Sequence, residues 1–407
     1  MVKSRFRSGI AVLAAVVLTA CGASANSQEQ QLLPDYDPTP TQVNSSAVEV
    51  DKTDLWLPLQ LAEQQVLSPG WLTEPLHADG VFLSAKHDDD VLIFRAVDAT
   101  GSILWEAQRP RSCTGFALTA TNDQHLAVLT DIDADVQTFG HTTATAYDLH
   151  TGQQVWGPVD VPGPHHGPGT VFAAPPEAAM GASGDKAVLD PASGQVLLDE
   201  RQVPEVNILG EFYGLVLVAR DDEVQAFDAS ALAESGFDAD PSWSLSVADH
   251  KWDAEQLHAA VPGPNPGMEN GAGAVLLGTN STDRALISLT DGAIIAEEVA
   301  AAGQDSSSQT WVTVGEELAG YSAQGELLFA EALEGLQLIG VGGAIAYVEN
   351  ADGDIQTHNV ITGALSRSYD PQATGELVVP QLIDTNGAAI LEGAHSYYLV
   401  PAYESRQ

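Results

Sequence analysis

The chain has 407 residues, with 56 acidic against 15 basic side chains and a formal net charge of −41. That balance excludes phosphate-backbone binding, which needs clustered Lys and Arg, and it equally excludes charge-driven adsorption to an anionic lipid surface. Hydrophobic residues make up 44%, too many for a disordered chain, and two cysteines are too few for a disulfide framework. A length near 400 predicts two or three domains or one repeat array.

The N-terminus reads as an address. Lys3, Arg5 and Arg7 form a positive start, and Ile10 to Ala20 is an apolar stretch too short to span a bilayer. It runs into Leu18-Thr19-Ala20-Cys21-Gly22. This motif resembles the lipobox of bacterial lipoproteins, in which the peptide is cut before the cysteine and the thiol receives a diacylglyceryl group. The resemblance implies a signal peptide over residues 1–20 and lipidation at Cys21, with a further acyl chain such as palmitate making the anchor stable. An ordinary secretory signal with an incidental cysteine is the rival reading. Cleavage takes three of the 15 bases and none of the 56 acids, leaving 12 bases and a net of −44. No later apolar run approaches the roughly 18 residues of a membrane span. Residues 21–49 are rich in Ser, Gln, Asn, Pro and Thr, lack apolar periodicity and read as a flexible tether.

From residue 50 to 403, short apolar and β-branched stretches alternate with Gly, Asp, Asn and Ser. Val91 to Phe94, His125 to Leu129, Gly214 to Ala219 and Ala274 to Leu277 are examples. No stretch after residue 65 keeps a 3.6-residue apolar period, so the class is all-β. A local unit recurs: a strand, a turn with Gly, then a short strand that often reaches Trp four residues on. The clearest copies run from Val97 through Gly101 to Trp105 and from Ala146 through Gly152 to Trp156, followed by Leu189 to Leu197. Weaker copies surround Gly292, Gly325 and Gly363, and a degenerate one ends at Asp228, where a longer loop delays Trp243. Gly allows the turn its positive φ, the preceding Asp or Asn bonds turn amides, and the residue after it packs between sheets.

The turn glycines at 101, 152, 194, 292, 325 and 363 lie 33 to 51 residues apart, except for a gap of 98 that holds the degenerate copy. Such periods predict β-propeller blades of four short strands. The unit resembles the repeat of the PQQ-like β-propeller superfamily, which includes quinoprotein dehydrogenases and outer-membrane assembly lipoproteins of the BamB type. Strand bookkeeping favours eight blades over seven. After the seventh turn unit, Leu377 to Ile383, Ala388 to Leu391 and Ser396 to Val400 give three strands, and Asp54 to Leu59 would close the ring from the other chain end.

The quinoprotein branch of that superfamily implies a vicinal disulfide, a calcium site and a catalytic aspartate. This sequence has no adjacent cysteines and no calcium-ligand set to match, so no cofactor is assigned and the resemblance describes shape. Cys113 is a nucleophile candidate if Arg109 and Arg111 lower its pKa, against the plainer reading of a small buried side chain. The two arginines themselves read as surface partners of nearby acids. Asp131, Asp133 and Asp135 alternate on one strand face, which suits solvent or a calcium ion. Asn350, Asp352 and Asp354 around Gly353 read first as a hairpin turn, as does His87 to Asp90. His165-His166 lies in a Pro-Gly loop and lacks the spacing of a zinc site. No metal site and no catalytic residue is assigned, since neither a nucleophile elbow, a phosphate loop nor a paired-histidine helix appears. The Pro-Gly loops 163–169 and 262–267 are long enough to decorate one face, where partners bind.

These readings predict an exported lipoprotein, a monomer held by its lipid on the extracytoplasmic side of the cell membrane. Its propeller would bind or scaffold an unknown protein or small-molecule ligand, and no nucleic acid. The alternatives are a propeller enzyme, either a quinone-dependent dehydrogenase or a hydrolase with a site drawn from several blades, and an envelope-assembly factor like the BamB-type lipoproteins, by fold analogy.

Overall fold

In strand Ser102–Pro110, Ile103, Trp105, Ala107 and Arg109 are buried while Ser102, Leu104, Glu106 and Gln108 are half-exposed, the period-2 signature of a sheet with one face on a core. The computed structural model describes residues 36–133, 141–175, 184–250, 252–263, 273–282, 284–333 and 335–402. The expected signal peptide, Cys21, the start of the tether and Asp135 lie outside these residues.

Among the described residues the strands fall into successive antiparallel up-and-down runs, and the protein is all-β apart from short helical turns. The first run is Leu76–Ala78, Val81–Asp88, Val91–Asp98 and Ser102–Pro110. The second is Phe116–Ala120, His125–Asp133, His141–Asp148 and Gln154–Asp160. The third has Val171–Ala173, Lys186–Leu189 and Val196–Asp199. The fourth is Asn207–Phe212, Leu215–Arg220, Glu223–Asp228 and Trp243–Ser246. The fifth is His258–Ala260, Ala274–Gly278, Arg284–Ser288 and the first part of the long strand Ile294–Asp305. The rest of that strand leads the sixth, with Thr310–Gly315, Leu318–Tyr321 and Leu327–Glu331. Gln337–Gly342, Ile345–Glu349 and Ile355–Asn359 form the seventh. Val379–Ile383, Ala389–Glu392 and Tyr397–Val400 form the eighth, which a parallel pairing of Val341 with Leu382 joins to the seventh in one sheet.

The N-terminal residues complete two of these runs. Leu67–Ser68 pairs with Tyr397–Val400, and Val48–Glu49 pairs outside it. Thr41–Ser46 covers the outer edge of Ser102–Pro110, so ordered pairing begins inside the stretch read as tether. The closing strand expected at Asp54 to Leu59 has another place. Leu55–Trp56 pairs in parallel with Glu376–Leu377, and the Trp56 indole N–H donates to Asp370 O at 2.9 Å. Its ring meets Tyr369 edge-on at 5.7 Å. The indole finds both its carbonyl and its aromatic partner there, and Leu67–Ser68 is the N-terminal strand that pairs with Tyr397–Val400.

All six turn glycines named above adopt positive φ. The acceptors before them act as expected: Asp98 Oδ1 takes the amides of Thr100 and Ser102, each at 2.9 Å, and Asn359 Oδ1 takes those of Ile361 at 3.1 Å and Thr362 at 3.0 Å. Each tryptophan of the unit then docks on the turn of the following run. Trp105 Nε1 donates to Leu149 O (2.8 Å), Trp156 Nε1 to Pro191 O (2.7 Å) and Trp243 Nε1 to Leu289 O (2.9 Å). The turn glycine lies against the indole: a Cβ on Gly152 would sit 2.8 Å from Trp105 Cγ, and one on Gly194 2.5 Å from Trp156 Cε3. Phe329 covers Gly363 in the same way, and Leu67 covers Gly101. The degenerate copy departs for a local reason. Asp228 caps helix Ala229–Ser235, whose buried Ala229 and Leu232 pack with Leu198 in place of a docked indole.

The core is divided among the seams between runs. Phe94, Trp105, Leu118 and Tyr147 share one cluster, joining the first run to the second. Similar clusters follow at the later seams, and another packs Leu55, Leu57 and Val66 onto Ala389, Leu391 and Val400 of the eighth run. The last unites Leu67, Phe82 and Val97 with Leu382, Ile390 and Leu399, from opposite ends of the sequence. His77 and Asp384, both nearly buried, face each other at 3.9 Å across that same seam.

Candidate functional site

The leading strands of several runs meet around a pocket of about 400 Å³, inside the size range of small-molecule sites. Leu76 comes from the first run, Phe116 to Leu118 from the second, Glu211 and Phe212 from the fourth, and Ala259 and Ala260 from the fifth. The 163–169 loop, expected to decorate a face where partners bind, supplies a wall of this pocket through His165 and Gly167 to Gly169. Val261 and Gly263, at the start of the second Pro-Gly loop, line a neighbouring cavity of about 240 Å³, and residues 264–267 lie outside the described set. Glu74 and Val261 border both cavities.

Four side chains with polar atoms, Glu74, His165, Glu211 and Tyr213, stand in this largely apolar setting. Glu211 is 1% exposed. Its Oε1 accepts from Thr119 Oγ1 at 2.8 Å and from the Gly214 amide at 2.6 Å, and its Oε2 accepts from the Thr170 amide at 3.1 Å. The carboxyl therefore ties the second run, the approach to the third, and the fourth. Burial pushes it up to about 7, against the pull of these donors. Gly169 makes the close approach possible, with φ +68 and no side chain to strike the Glu211 carbonyl.

His165 packs edge-on to Phe172 at 5.9 Å, and its Nε2 lies 2.7 Å from Gly169 O. A carbonyl only accepts, so Nε2 carries the proton and Nδ1 is the acceptor of the neutral ring. Burial lowers its pKa, which keeps the ring neutral. Glu74 is exposed toward the pocket, and partial enclosure there raises its carboxyl, with the Glu392 charge adding to the effect. A ligand in this pocket would meet apolar walls, one accessible carboxyl and one ring nitrogen.

The other candidates separate. Cys113 is fully buried, as the plainer reading had it. Arg109, expected at the surface, is 1% exposed and faces Asp131, while Arg111 is exposed. Asn350 Oδ1 accepts the amides of Asp352 and Asp354 around Gly353 at positive φ, which is a hairpin turn. Asp89 likewise turns the 87–90 hairpin. Among the described residues no group of three or more His, Cys, Asp or Glu is placed to hold a metal ion. No helix is long and apolar enough to cross a membrane. Sequence reasoning missed Glu211 and Glu74, which carry no motif. The only signal for Glu211 was a lone acid inside an apolar strand, Asn207–Phe212.

No family model matches the chain, and no curated protein matches it. Among solved structures it is similar to the computationally designed Ika8 protein, with TM-score 0.42 and 16% identity over 86% of this chain and 99% of that one. BamB from Moraxella catarrhalis gives TM-score 0.39 and 16% identity over 90% and 99%. Sqt1 of Saccharomyces cerevisiae gives 0.35 and 11% over 89% and 100%.

Proposed function

We propose that this protein is a lipid-anchored binding protein of the extracytoplasmic membrane face, and that its strand runs are the blades of an eight-bladed propeller closed by strands from both chain ends. The order of the core clusters supports the ring. Trp156 and Phe172 share one, Leu198 and Ile208 the next, then Trp243 with Val275, Leu276 with Trp311, Val314 with Val348, and Tyr347 with Val379. Each pair bridges consecutive runs, and the cluster of Phe82 with Leu382 bridges the eighth to the first. The lipobox-like Leu18 to Gly22 supports the anchor.

The observation that carries the binding reading is the convergence of four leading strands and one loop on a single apolar pocket with few polar groups. A net charge of −44 after cleavage keeps such a domain soluble and repelled from anionic lipid, so attachment falls to the acylated tether. Val261→Trp blocks the pocket mouth from a position already 36% exposed, so the fold should tolerate it. Native mass spectrometry of protein purified from its own membranes should show a small molecule retained by the wild type and absent from this variant. No retained molecule, or equal retention by both, counts against the pocket. Separately, Cys21→Ser should shift the protein from the detergent phase to the aqueous phase; continued partition into detergent would sink the anchor.

A further inference from the structure

A larger cavity lies between the first and second runs. It is a cleft of about 970 Å³, bounded by the segment that leads from Tyr36 into strand Thr41–Ser46. Its base is strand His141–Asp148, where Thr143, Thr145 and Tyr147 alternate and therefore share the lining face. Neither threonine hydroxyl is held by a hydrogen bond among the described residues. Asp131 stands opposite Thr143 in the register, and Tyr36 donates to its Oδ1 at 2.6 Å.

Arg109 enters from the first run. Its Nη2 donates to the Tyr147 hydroxyl at 3.0 Å, and its Nη1 to Pro38 O at 2.8 Å and Gln108 O at 2.7 Å. Its Nε is buried without a hydrogen-bond acceptor, with Asp131 Oδ2 at 3.6 Å. Arg109 Nε is closed off behind this ion pair, so a ligand oxygen in the cleft would meet the unused Thr143 and Thr145 hydroxyls.

The chemistry of the lining selects the ligand. Arg109 and Asp131 cancel in charge, so the cleft offers donors and acceptors together with no net sign. Two tyrosine rings and Pro38 add flat apolar faces. A phosphate or carboxylate would meet Asp131 in a chain of net charge −41, and a wholly apolar ligand would desolvate the hydroxyls without replacing their hydrogen bonds. Sugar rings match both features, with hydroxyl edges that donate and accept and C–H faces that pack on aromatic rings. We infer that this cleft, formed between the N-terminal segment and the seam of the first two runs, binds a neutral glycan chain. The site is separate from the pocket of the leading strands.

The test uses the full-length protein in detergent micelles. The probes are neutral hexasaccharides of glucose, mannose and N-acetylglucosamine, with a galacturonic acid hexasaccharide as the charged control. Saturation transfer from protein to at least one neutral probe is expected. Thr143→Val with Thr145→Val keeps side-chain shape and strand preference while removing two hydroxyls, and should weaken binding about tenfold or more. Tyr36→Ala lies outside the sheets and should give the same loss if the double variant folds poorly. Val261→Trp should leave glycan binding unchanged. Transfer to no neutral probe, transfer to the acidic control alone, or undiminished transfer in folded variants overturns the inference.

Discussion

Trp105→Ala is expected to destabilise the protein by about 3–5 kcal/mol, the range for removing a large aromatic side chain from a packed core. The residue is fully buried, packs beside Tyr147 and bonds Leu149 O of the following turn, so truncation leaves a cavity and strands a carbonyl. Gly152→Ala attacks the same seam from the other side. Its backbone sits at φ +64 and the new Cβ would lie 2.8 Å from Trp105 Cγ, which together cost about 2 kcal/mol or more. In the double variant the clash disappears with the indole, so the combined loss should fall short of the sum by about 1 kcal/mol. Urea midpoints at constant m-value measure all three. Strict additivity would mean that the indole and the glycine do not form one joint.

Glu211→Ala should also be costly, about 3 kcal/mol, because it leaves the Thr119 hydroxyl and the Thr170 amide buried, and the Gly214 amide half-buried, without their acceptor. Its pH dependence has a definite sign. The folded-state pKa of about 7 stands above the ordinary value of 4.5, so the native state holds this proton more tightly than the unfolded chain. The contribution is fully present below pH 4.5 and is lost as pH rises through 7, at no more than about 1.4 kcal/mol per pH unit. The stability difference between wild type and Glu211→Ala should therefore shrink from pH 4.5 to 7 and stay flat above it. A difference that widens over that window would show that the three donors outweigh burial.

The two predictions differ in how far the sequence announces them. Trp105 and Gly152 belong to a repeat visible in the chain, because a tight turn needs a residue tolerant of positive φ and Asp148 marks where its amides are held. Leu67 was hidden. It does the work of a docked indole under Gly101, yet nothing around it repeats the unit, and Asp54 to Leu59 looked more strand-like. Helix Ala229–Ser235 was hidden for a related reason: seven residues are too few to show a 3.6-residue period, and its capping Asp228 also fits a turn.

The chemistry-bearing residues were less legible still. Arg109 looked like a surface charge because arginine usually is one, and only the meeting of the N-terminal segment with Tyr147 and Asp131 buries it. His165 stood in a loop rich in Pro and Gly, which suggested exposure, but the loop folds back against Phe172 and becomes a pocket wall.

By itself the sequence determined the all-β class, the places of the turns, the docking tryptophans and the strongly acidic surface, since each depends on local backbone freedom, side-chain alternation or a count of charges. Only the tertiary structure decided which strands complete the first and last runs, and where Glu211, His165 and Arg109 come to lie. Those outcomes depend on contacts between residues as distant as Leu67 and Leu399, whose pairing no local pattern encodes. The charge of −41 belongs to the first kind, and the pocket of the leading strands and the cleft beside Tyr147 belong to the second.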